Sequence, residues 1–381
     1  MILNIKIKSI LKALYKRLFP QKDKSVYISK ISSKKPWVLI AYMADVFYRS
    51  NDISFMNSHQ NKREALAMVP IFNRLGYNVY VQSYTKTINF PDINVSVIFG
   101  HPPAIEAAAK VYKKAIIVQY ATGCFYTHSN KQEEYITNLV NLQCNTSFKC
   151  ERYTLADNAH IISDHILMIG CKNTIETYPA SVRHKITTIH QSSQNVKTLE
   201  HIRYSPENEY FFMSSSGVLL RGVPFLIDYF TQNQNRILHL ICPFEPYIEY
   251  IQSKTPKNII FHGIMNLGSD DLLDIVARCN FIIYPSGSEG GCPGSVINSM
   301  KNGLIPIVSQ WSAFDEIDNY GYIMNGWSTN SIANGIEWAE SIEPNKCELM
   351  KQKCSVFATQ TYNLERFSKE FDSFFRQILK S

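Results

Sequence analysis

The chain has 381 residues, of which 45% are apolar and 19% charged. That length and balance exclude a disordered chain and a single small core, and fit two globular domains. The net charge of +7 is uneven: residues 1–24 carry Lys6, Lys8, Lys12, Lys16, Arg17, Lys22 and Lys24 against Asp23, while the rest is close to neutral.

The first stretch, MILNIKIKSILKALYKRLFP, predicts an amphipathic helix, because Ile7, Ile10, Leu11, Leu14 and Leu18 fall at helical spacing opposite the basic residues. Lysines interrupt every apolar core that a secretion signal would need. No apolar run reaches the ~18–20 residues that span a bilayer. Such a helix suits the headgroup layer of an anionic membrane, and it also suits packing on the protein's own surface. Strand-like runs then alternate with helical stretches. The first series is 37–43, 78–84, 95–100, 115–121 and 165–170; the second is 210–215, 236–242, 258–264, 280–286 and 304–309. Helical patterns at 62–76, 224–230 and 270–279 lie between them. Short apolar runs separated by amphipathic helices predict parallel sheets covered on both faces. Two series predict an α/β chain of two doubly wound domains. The polar stretch 190–209 reads as the link, giving an arm over 1–24 and domains over 25–200 and 201–360. The segment 361–381 is expected to be a helix docking on the body through Leu364, Phe367, Phe371, Phe374 (or Phe375) and Ile378. The nine cysteines are odd in number, form no Cys-x-x-Cys and sit partly in apolar runs. That points to a reducing, cytoplasmic compartment rather than a disulfide framework or zinc cluster.

Two stretches carry chemistry. In YPSGSEGGCPGSVINSM (284–300) an apolar run hands over to a helix through a loop of small residues with one carboxylate, Glu289. The helix start at Gly294 and Ser295 offers unpaired N–H groups, and Gly290 lets a diphosphate approach the backbone. Glu289 would then accept hydrogen bonds from sugar hydroxyls. A tight turn with a surface carboxylate has the same sequence. In YFFMSSSGVLLRGVPFLIDYF (210–230) a strand runs into Ser215, Ser216 and Gly217, then Arg221 at a helix start. Arg221 suits a bidentate grip on a diphosphate, or a plain solvated position.

Taken together, the two motifs resemble the donor domain of glycosyltransferase family 4, which has the two-domain GT-B fold. The resemblance is closest over 205–310 and extends more weakly over 36–200. It implies that Glu289 contacts the donor sugar and that Arg221 binds the diphosphate and stabilises the leaving group. Ser215 and Gly217 would face the phosphates, with Gly294 and Ser295 at the helix start. The family's second glutamate, which holds the ribose, is replaced here by Asn298, one residue further on than expected; an amide hydrogen-bonds without charge assistance. The first of the family's two basic donor-site residues is also missing from SSSG. The implied activity is retaining transfer from a nucleotide-diphosphate sugar to a lipid-linked glycan in bacterial surface-polysaccharide synthesis, on the inner face of the cell membrane, without metal or cofactor. A nucleotide-sugar 2-epimerase of the same fold and a degenerate, non-catalytic binding subunit are the alternatives.

On the first domain, His59 and Asn61 precede a helix and His128 lies on the loop TGCFYTHSN, positions that face a cleft between domains or plain solvent. The group DNAHIISDH (157–165) has no metal-site spacing, and Asp270 reads as part of a capped helix start. The 22 tyrosines and 21 phenylalanines show no nucleic-acid-binding signature.

Overall fold

The structure, a computed structural model, describes residues 25–289, 293–312 and 315–380. The helix expected over 1–24, and Gly290, lie outside the described residues.

Two sheets form. The first comprises β1 (Val26–Ser29), β2 (Trp37–Tyr42), β3 (Asn78–Ser83), β4 (Val95–Gly100), β5 (Ile116–Ala121), β6 (His165–Ile169) and β7 (Ile186–Ile189), in the order β1-β3-β2-β4-β5-β6-β7. Its pairs are parallel except β1 with β3. The second comprises β8 (Glu209–Met213), β9 (Ile237–Ile241), β10 (Ile259–Phe261), β11 (Phe281–Tyr284), β12 (Ile305–Ser309) and β13 (Tyr322–Met324), in the order β10-β9-β8-β11-β12-β13, all parallel. Strands such as FIIY and IPIVS are buried throughout, because helices cover both faces of each sheet. All the strand-like runs form strands. β1, β7 and β13 were not anticipated; they are short, lie at sheet edges and carry little of the apolar signal.

The expected helices form at Asn61–Arg74, Val223–Gln232, Asp270–Arg278 and Leu364–Ile378. Ser269 caps the third, its side chain accepting from Leu272 N–H. One expectation is corrected. The stretch 122–130 is not wholly a loop: a helix, Tyr126–Cys144, begins within it and holds His128 in its first turn. Its buried positions include Asn130, Glu133 and Thr137 beside Ile136 and Val140, so no clean apolar stripe marks it.

The C-terminal helix returns to the first sheet. Phe367, Phe371, Phe374, Phe375 and Ile378 are buried in that sheet's core. Phe375 meets Phe72 at 4.5 Å between ring centroids and Phe371 meets Phe99 at 5.3 Å. The crossing segment after β7 is tied to both sides. Ser192 donates from N–H and Oγ to Glu64 (2.6 and 2.8 Å), while Gln194 O accepts from Lys301 Nζ (3.0 Å).

Candidate functional site

In an open parallel sheet the connections leave in opposite directions where the strand order reverses, which opens a crevice at the strands' carboxyl ends. In the second sheet that point lies between β8 and β11. The loop after β8 carries Arg221 and the loop after β11 carries Glu289. Gly222 lets the two loops meet: its φ is +74°, and a Cβ there would stand 2.1 Å from Pro285 O.

Arg221 and Glu289, 68 residues apart in the chain, are in contact, with Arg221 Nε 3.1 Å from Glu289 Oε1. Tyr284, the last residue of β11, completes a triangle. Its hydroxyl accepts from Arg221 Nε (2.5 Å) and donates to Glu289 Oε1 (2.9 Å). Arg221 Nη1 donates to Ser216 O (2.6 Å). Arg221 is 8% exposed and Glu289 7%. Burial alone would lower the guanidinium's pKa, but Glu289 and Tyr284 beside it raise it further, so the charge is retained. Glu289 is therefore half of a buried ion pair rather than a free acceptor at the rim.

The other anticipated residues are placed as follows. Ser215 is exposed at the loop tip. Gly217 N–H donates to Glu245 Oε1 (2.6 Å) and Val218 N–H to Glu245 Oε2 (2.8 Å), so the chain's own carboxylate takes two amides of the loop that was expected to face phosphates. Gly294 and Ser295 are half-buried at the start of the helix Gly294–Lys301. Asn298 is buried; its amide donates to Gln194 of the crossing segment and to Gly294 O (2.6 Å), and its Oδ1 has no partner among the described residues.

The first domain meets this site directly. His128 Nε2 lies 3.1 Å from Gly287 O, and its ring lies 5.1 Å from that of Trp311. Ser129 Oγ is 2.7 Å from Ser288 Oγ, and Cys124 N–H donates to Glu289 O (3.1 Å). Gln60 faces the other helix start, where a Cβ on Gly294 would lie 3.2 Å from Gln60 Oε1. His59 is exposed, with its Nδ1 accepting from Asn61 N–H (3.3 Å), and Asn61 Oδ1 is buried with no partner among the described residues. Thus His128 stands at the junction and His59 at its edge. Tyr284, Gln60 and Arg152, whose guanidinium donates to Ser216 Oγ (2.9 Å), were not anticipated. Tyr284 looked like one more strand residue, and no spacing links Arg152 to a loop 64 positions away.

Among the described residues, Glu209, His239 and Cys279 bring ligand atoms within 4.8 Å of one another. Glu209 already accepts from Arg278 (2.9 Å) and pairs with His239 (2.8 Å), and burial raises the Cys279 thiol's pKa. This is a hydrogen-bonded network at the amino end of β8, away from the crevice. No helix among the described residues is long and apolar enough to cross a membrane.

No family model and no curated protein matches the sequence. Solved structures do. A sucrose-phosphate synthase from Thermosynechococcus elongatus matches 91% of this chain and 100% of its own at a TM-score of 0.59 and 11% identity. A glycosyltransferase from Rickettsia africae matches 91% and 100% at 0.53 and 11%. HepE from Anabaena, in complex with UDP-glucose, matches 90% and 99% at 0.53 and 11%. The chain has the fold these proteins share, the GT-B arrangement of two Rossmann-like domains facing across a cleft.

Proposed function

We propose that this GT-B chain is a retaining glycosyltransferase of the family 4 type, which moves a sugar from a nucleoside-diphosphate donor to a lipid-linked glycan. The observation that carries the reading is the meeting of Arg221 and Glu289, from loops after β8 and β11, at the strand-order reversal and under His128 and Ser129 of the first domain. Ligands of such sheets bind at that point. HepE, of the same fold, holds UDP-glucose.

In this reading the bond from the sugar carbon to the donor diphosphate breaks and a bond to the acceptor oxygen forms on the same face. The acceptor's proton passes to a phosphate oxygen. The protein's part is to orient the reactants and to stabilise the charge developing on the diphosphate, which suits Arg221 and the helix start at Gly294. Glu289 takes the sugar hydroxyls once Arg221 turns to phosphate. Because residues 287–289 touch Cys124, His128 and Ser129, donor entry requires the two domains to part. The basic segment 1–24 brings the cleft to a membrane bearing the acceptor, in surface-polysaccharide synthesis.

The test is a donor screen of the purified full chain with UDP-, GDP-, ADP- and dTDP-sugars and a membrane extract as acceptor source. We expect incorporation from one donor class, with the anomeric configuration retained. Absence of both transfer and nucleotide binding across the panel overturns the assignment; an epimerised sugar released without acceptor replaces it with an epimerase.

A further inference from the structure

The segment 145–158 follows the helix Tyr126–Cys144 and has no regular structure, yet its backbone is firmly held. Asn130 accepts from Thr154 N–H and donates to Thr154 O, both at 2.8 Å. Glu133 Oε1 accepts from the N–H groups of Glu151 (2.7 Å) and Arg152 (3.3 Å). Asn130 and Glu133 are themselves buried. A buried polar pair on one helix thus fixes residues 151–154, and because that helix also buries Ile136 and Val140 in the second sheet's core, the Arg152 side chain is held over the second domain.

There it lies against the donor-side loop. Arg152 Nη1 donates to Ser216 Oγ, and its stem passes over Gly217 so closely that a Cβ on that glycine would stand 2.1 Å from Arg152 Cδ. The same Cβ would stand 2.9 Å from Arg221 Nη1. Two guanidiniums from different domains therefore converge on Ser216 and Gly217. Arg221 is paired with Glu289, whereas Arg152 forms no ion pair among the described residues. Like charges at such range repel; Glu289 beside Arg221 offsets this at Arg152 too, and a diphosphate that takes Glu289's place carries enough charge to answer both guanidiniums. We propose that Arg152 is a binding residue for the donor diphosphate. It would supply from the first domain the second cation that the Ser214–Gly217 loop lacks. The proposal rests on the donor-site reading above.

The test is calorimetric binding of UDP, GDP, ADP, dTDP, the corresponding nucleosides and inorganic pyrophosphate to the full chain, to R152A, to R152K and to R221A. Without the charge-assisted hydrogen bonds of one guanidinium, R152A binds diphosphates and pyrophosphate about 10- to 100-fold more weakly. R152K recovers part of that affinity, and the affinity for the preferred nucleoside is unchanged. Diphosphate affinity equal to wild type in R152A, with R221A impaired, overturns the role of Arg152 and leaves the donor site standing. Equal loss of nucleoside and diphosphate binding in R152A also overturns it, since that marks a structural role. Wild-type protein that binds no diphosphate and no pyrophosphate removes the donor site, and Arg152's role with it.

Discussion

Arg221 and Glu289 show what one residue can be asked to do twice. In the closed crevice they neutralise each other; on the proposed reading they part when donor binds. Removing one partner of a buried pair leaves an uncompensated charge, at a cost of about 3–5 kcal/mol. Glu289→Ala and Arg221→Ala are therefore expected to abolish transfer and also to lower the melting temperature, whereas Glu289→Gln should lose transfer with a smaller thermal penalty. Transfer assays paired with thermal melts separate the two effects, and near-normal turnover in Arg221→Ala refutes the site. Glu64 offers a pH signature. Burial lifts its carboxyl to about 7 although two bonds from Ser192 pull it down. A carboxyl whose folded pKa is raised holds its proton more tightly in the folded state. Stability therefore falls as pH rises from about 4.5 to about 7, and Glu64→Gln, which keeps an acceptor for Ser192, should flatten that fall. Melting curves across pH 4–8 that are parallel in wild type and variant would contradict it.

Elements were legible in proportion to their apolar signal. The strands from Trp37–Tyr42 to Ile305–Ser309 that fill the sheet centres announce themselves because both faces are covered. Edge strands such as Ile186–Ile189, with two exposed threonines, do not. The helix Tyr126–Cys144 was hidden because its inward face spends three positions on polar side chains, and two of those hold the Arg152 segment. Part of the site was legible for a related reason: Arg221 and Glu289 sit in small-residue loops after strong strands. Tyr284 was not, because it reads as one more strand residue, nor was Arg152, because a contact to a loop 64 positions away leaves no spacing in the chain. The C-terminal helix was plain from its phenylalanines, and it supports a quantitative expectation. Phe371 is fully buried against Phe72 and Phe99, so Phe371→Ala should cost about 3–5 kcal/mol, read by denaturant unfolding. A cost near zero would mean that the helix does not dock there in solution.

At the scale of the molecule, Cys124 and the helix start at His128 and Ser129 lie on Gly287, Ser288 and Glu289, that helix buries Ile136 and Val140 in the second sheet's core, and the crossing segment and the C-terminal helix also tie the two halves together. The basic segment 1–24 directly precedes β1 in the chain. Deleting residues 1–22 is expected to release the protein from anionic vesicles in a sedimentation assay and to leave nucleotide binding intact; unchanged pelleting would refute the membrane role of the segment. The return of the C-terminal helix carries a consequence for biosynthesis. A ribosome that has completed residues 25–189 has made every strand of the first sheet, yet Phe72 and Phe99 still await the rings of Phe371 and Phe375, encoded far downstream. The amino-terminal half must therefore pass through translation with that flank uncovered, and a nascent chain stalled before residue 363 should present a greasy surface for chaperones to hold.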